Sequence, residues 1–106
     1  MKKMLLLMLI FISTNVSAQI FIPNAFTPNN DGRNDIFKVV NITTEKITEF
    51  NIFNRWGILI YHSQNNSGWD GTYNNILQST GIYLYYITYS NNDSTFIMRG
   101  NVTLIR

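Results

Sequence analysis

The sequence predicts an all-β protein, an immunoglobulin-like antiparallel β-sandwich of about seven strands. Three observations carry this. From Gln19 onward the apolar residues are mostly β-branched or aromatic and recur at the spacing of strands rather than helices. Asn, Gly, Ser and Pro interrupt them about every eight to twelve residues, the rhythm of short strands joined by turns. The two longest apolar stretches, Ile82–Ser90 and Thr95–Ile105, are split by the polar segment Ser90-Asn91-Asn92-Asp93-Ser94 and read as a hairpin.

The chain opens with a different kind of segment. Lys2 and Lys3 precede an uninterrupted apolar run, Met4–Ile12, and Val16-Ser17-Ala18 supplies small residues at a cleavage position. The pattern predicts a secretory signal peptide over residues 1–18, with the domain occupying 19–106. The run is far shorter than the roughly 20 residues a membrane-spanning helix needs. Without Lys2 and Lys3, the basic residues Arg33, Lys38, Lys46, Arg55, Arg99 and Arg106 balance the acids Asp31, Asp35, Glu45, Glu49, Asp70 and Asp93. The pI of about 9.0 therefore marks no basic surface for nucleic acid or anionic lipid.

After Gln19, strands are expected at Ile20–Ile22, Ile36–Val40, Glu49–Asn54, Ile58–His62, Ile82–Ser90 and Thr95–Ile105, with a shorter one near Gly71–Asn74. Thr43–Ile47 is the one candidate for a helical turn. Asn54-Arg55-Trp56-Gly57 reads as a tight hairpin turn in which Gly57 takes a positive φ. Gly68-Trp69-Asp70-Gly71 reads as a second turn with an aromatic inside it. Trp56 and Trp69 are both expected to anchor their loops on the core. In Ile82–Tyr89, Ile82, Leu84 and Tyr86 share one face, while Tyr83, Tyr85, Ile87 and Tyr89 share the other. The tyrosine face reads equally as a protein-binding patch and as a surface covered by neighbouring strands.

In the final stretch Phe96, Met98, Val102 and Leu104 fall at even spacing, and Gly100 interrupts the row. A strand glycine marks a bulge or the close approach of another backbone. So apolar an end is expected to be paired into the sheet rather than frayed.

Chemistry-bearing residues are sparse. Cysteine is absent, which removes disulfide staples, thiolate catalysis and Cys-ligated zinc. Stability must come from packing, and the 14% of aromatic residues supply the material. His62 is the single histidine and reads as a surface or rim side chain. No nucleophile-base order, phosphate-cradling glycine loop or HExxH is present, so no enzyme is expected and no small-molecule substrate is evident. Asn29, Asp31 and Asp35 offer oxygens at alternating spacing around Gly32, as calcium loops do. The terminal bidentate Glu of the full motif is missing, and Arg33 places a positive charge in its middle. A loop closed by its own side-chain hydrogen bonds explains the same residues. No cofactor is required, and calcium is the one ion the segment would take.

The blocks Phe21-Ile22-Pro23-Asn24-Ala25-Phe26-Thr27-Pro28-Asn29-Asn30-Asp31-Gly32, Asn34-Asp35, Phe53-Asn54-Arg55-Trp56-Gly57, Trp69-Asp70-Gly71, Gly81-Ile82-Tyr83 and Gly100-Asn101-Val102-Thr103-Leu104-Ile105-Arg106 follow one another in order. In this the chain resembles the gliding-motility-associated C-terminal domain, the type B sorting domain of the type IX secretion system of Gram-negative gliding bacteria. It departs in Tyr73–Thr80, which lacks the Gly and Pro usual before the Gly81-Ile82-Tyr83 block. The resemblance implies a non-catalytic address recognised by the outer-membrane protein export machinery, with cell-surface attachment or release to follow. The residues expected to be read are Gly100, Asn101, Val102, Thr103, Leu104, Ile105 and Arg106, by strand addition where a sheet edge is open. Members usually carry cargo between signal and sorting domain, whereas here the motif begins at Phe21; a minimal exported protein and the remnant of a longer gene both fit. The alternative function is a secreted adhesive or calcium-stabilised binding module.

Overall fold

A computed structural model describes residues 20–32 and 35–106. The expected signal peptide lies outside the described residues, as do Arg33 and Asn34. The protein is all-β, with strands β1 (Ala25–Phe26), β2 (Lys46–Phe53), β3 (Leu59–Ser63), β4 (Thr72–Tyr73), β5 (Ile76–Leu77), β6 (Gly81–Asn91) and β7 (Ser94–Leu104). Five form one sheet in the order β1-β7-β6-β2-β3, and β4 and β5 form a small hairpin of their own.

The sheet is built on β6 and β7. They pair in unbroken antiparallel register from Gly81↔Leu104 to Asn91↔Ser94. Their connection is tighter than the five-residue loop expected. Only Asn92 (φ 53°) and Asp93 (φ 68°) lie between the strands. Two positive φ values make the turn whose twist matches that of the strands, and Asn and Asp tolerate it best after Gly. The β4–β5 hairpin turns the same way on Asn74 (φ 53°) and Asn75 (φ 65°).

The opposite layer contains less regular strand than the periodicity predicts. Ile20–Ile22 and Ile36–Val40 enter only as isolated bridges, Phe21↔Val40 and Phe37↔Trp69. Side chains supply the missing pairing. The Asn66 amide accepts from Val39 N at 3.0 Å and donates to Val39 O at 2.9 Å, much as a neighbouring strand would. Thr43–Ile47 forms no helical turn, because β2 begins at Lys46.

The layers enclose one core of Phe26, Phe37, Val39, Ile47, Phe50, Ile52, Ile60, Trp69, Tyr83, Ile87, Val102 and Leu104. Trp69 sits at its centre, with ring centroids 5.4 Å from Phe26 and 5.0 Å from Tyr83. The tyrosine face of β6 turns inward: Tyr83 is buried, and Tyr85 and Tyr89 pack against the core. Ile82 and Leu84, on the opposite face, are exposed. The two tryptophans part company. Trp69 is fully buried, as expected, whereas Trp56 is 74% exposed and anchors nothing in the core. Its turn is held by Asn54 instead, whose side-chain oxygen accepts from Trp56 N (2.9 Å) and Ile58 N (3.0 Å). Gly57 takes the expected positive φ, 81°.

Candidate recognition surface

The end of the final strand is closed into the body from both sides. β6 covers one edge along its whole length. On the other edge β1 runs parallel to its last part, pairing Ala25 with Thr103 and Phe26 with Leu104. Thr103 N donates to Asn24 O at 2.9 Å and Ile105 N to Phe26 O at 3.0 Å. The terminal arginine is fastened by side chain and backbone. Arg106 Nε donates to Gln78 O (2.7 Å), Nη2 to Gly71 O (2.8 Å), and the backbone N to Thr80 Oγ1 (3.2 Å). Gly71 is required at that clasp. A Cβ there would lie 3.1 Å from both Arg106 Nη2 and Leu104 Cδ1, at a φ of +86° that side chains rarely adopt.

The residues expected to be read therefore divide. Val102 and Leu104 are fully buried, Gly100 and Thr103 are half-buried, and Asn101, Ile105 and Arg106 reach solvent. Gly100 marks neither a bulge nor another backbone, since the β6–β7 register runs through it without a shift. The space a side chain would take belongs to Tyr85, whose hydroxyl would lie 2.8 Å and Cζ 3.1 Å from an added Cβ. The same desolvation pushes the Tyr85 phenol above its ordinary pKa.

The acidic loop closes on Asp35. Its Oδ1 accepts from Asn29 N (3.1 Å) and Asn30 N (3.0 Å), and its Oδ2 accepts from Gly32 N (2.8 Å). Asn29 Oδ1 accepts from Asp31 N at 3.2 Å. Among the described residues no three His, Cys, Asp or Glu side chains gather as a metal site would require. His62 is exposed, and its Nδ1 lies 2.6 Å from Asn51 Oδ1. Asn51 Nδ2 donates to Tyr86 O, which leaves its Oδ1 as an acceptor and assigns the proton to His62 Nδ1.

The outward face of the sheet is apolar at one end and cationic at its margins. Arg55, Ile82 and Leu84 line one shallow cleft, and Phe53, Leu84, Tyr86, Arg99 and Asn101 line the next. The Arg55 guanidinium lies 5.2 Å from the Trp56 ring and that of Arg99 lies 5.9 Å from Tyr86. Periodicity alone did not single out this face, because the buried and exposed sides of β6 are equally apolar. The hairpin turns, which set the pairing register, were the available signal.

Fold and surface together define a small all-β module that closes around its own C-terminal strand. The chain belongs to the CHU_C type IX secretion signal domain family, which matches residues 20–104. This is a sorting-signal family rather than a catalytic one. No curated protein and no solved structure gives a significant match.

Proposed function

We propose that residues 19–106 act as a folded export address. Secretion machinery at the outer membrane binds it, and the chain passes to the cell surface or the medium after an N-terminal signal spanning residues 1–18 has taken it to the periplasm of a Gram-negative bacterium. The observation that carries this reading is the family match across residues 20–104. The fold is in keeping with it. Val102 and Leu104 hold the core, and Arg106 is clasped by Gly71, Gln78 and Thr80. Gly100–Arg106 is thus presented as part of a shaped surface. We take Gly100–Arg106 as part of what the machinery reads, through Asn101, Ile105 and Arg106, with Val102, Thr103 and Leu104 setting their positions.

The test is a fusion of residues 19–106 behind a periplasmic reporter in a bacterium that has this secretion route. The reporter is expected on the cell surface or in the medium; retention in the periplasm would refute the reading. The alternative, an adhesive module or one stabilised by calcium at Asn29, Asp31 and Asp35, has less support. The Asp35 carboxylate is already engaged by three backbone N–H groups. Calorimetric heat on adding calcium, together with a raised melting temperature, would favour that alternative.

A further inference from the structure

The edge of β7 is only partly covered. β1 pairs with it at Thr103 and Leu104 alone. The chain before β1 leaves β7, and Phe21 is tied instead to Val40. From Thr95 to Asn101 the lane beside β7 is open, a length of about 20 Å at the usual rise per residue.

The register shows which groups face that lane. Thr103 and Ile105 direct their N–H groups toward β1. Backbone groups alternate between the two edges of a strand. Thr95, Ile97, Arg99 and Asn101 therefore point theirs the same way, while Phe96, Met98 and Gly100 point theirs at β6. The two-residue turn at Asn92-Asp93 gives the same parity, since it makes Asn91↔Ser94 a hydrogen-bonded pair. The side chains flanking the lane are open as well: Phe96 is 44% and Ile97 51% exposed.

We propose that this open half of the β7 edge receives an extended strand of the secretion machinery, adding a sixth strand to the sheet; the inference rests on the export reading above. Its chemistry follows from the edge. Backbone groups of the incoming strand pair with Ile97 and Arg99. Apolar side chains on one of its faces cover Phe96 and Met98. On its other face a carboxylate lies beside Arg99, whose only charge-related contact among the described residues is the Tyr86 ring. Charge complementarity favours such a partner over a second copy of this chain, because Ser94–Asn101 holds Arg99 and no acid.

The experiment uses the full chain, produced in a bacterium with this secretion route and detected at the surface of whole cells. Ile97→Pro and Arg99→Pro remove N–H groups that face the lane and leave the β6 ladder intact, as proline on a strand edge can. Surface display of the double variant is expected to fall by about tenfold or more, the scale set by losing two backbone hydrogen bonds, and that of each single variant by less, with little change in the melting temperature of the purified protein. Arg99→Glu leaves the backbone untouched and is expected to lower display while the fold persists; it decides the matter if the proline variants melt. Display at wild-type levels in folded Ile97→Pro and Arg99→Glu overturns the inference and leaves the export reading standing. Failure of the wild-type chain to reach the surface takes both down. Purified wild-type protein that is dimeric where Ile97→Pro is monomeric assigns the edge to a second copy, and overturns it too.

Discussion

Single side chains in this protein differ sharply in what they hold. Trp69 is fully buried, contacts Phe26 and Tyr83, and donates from Nε1 to Thr72 O at 2.8 Å. Trp69→Ala is expected to cost about 3–5 kcal/mol, a large part of the whole stability of a small domain. Trp56→Ala removes an equally large ring from solvent and is expected to stay within about 0.5 kcal/mol of wild type. Chemical denaturation of the two variants side by side checks both. Tyr85 adds a pH dependence. Its folded pKa is raised by desolvation, so the folded state favours the neutral phenol. That contribution is complete below the ordinary range near 10 and is lost as pH rises toward the raised folded value. Tyr85→Phe is expected to lessen the loss of stability on alkaline titration, read by melting temperature against pH.

At the scale of elements, the turns and the terminal clasp determine pairing. Asn92 and Asp93 join the two central strands at positive φ. Asn92→Val places a β-branched residue in that region and is expected to cost about 1–2 kcal/mol. The same change at Asn74 should disturb global stability less, because Ile76 and Leu77 beyond it are exposed; paired thermal melts would show the difference. Arg106→Ala releases the carbonyls of Gly71 and Gln78 and is expected to cost about 1–3 kcal/mol. Measured together with surface display, it separates a folding role from a recognition role. A variant that is displayed less than its lost stability explains marks Arg106 as read by the partner.

The whole molecule depends on its last strand. β7 lies inside the five-stranded sheet between β1 and β6, and Val102 and Leu104 are fully buried in the core that also holds Phe26 and Trp69. Deleting residues 102–106 removes those side chains and the strand that β1 pairs with. The truncated domain is expected to lose its near-ultraviolet circular dichroism and cooperative melting rather than fray at one end. Such a domain cannot present an address at all, so its loss of export would report unfolding. The edge variants, which leave the core intact, are the informative ones for recognition.

Residue order alone determined the all-β class, the two long strands, the glycine turn at Gly57, the burial of Trp69 and the family blocks, because alternation, turn chemistry and motif spacing are local properties. Tertiary contacts decided the rest. Strands expected at Ile20–Ile22 and Ile36–Val40 became single bridges, since Asn66 satisfies the Val39 backbone in place of a strand neighbour. Which apolar face of β6 lies inside was set by its register with β2 and β7, and Trp56 was left outside because Asn54 alone closes its turn. The open lane beside Thr95–Asn101 exists because β1 begins only at Ala25 while the chain before it pairs with Val40, and no pattern within β7 itself records how far its neighbour extends.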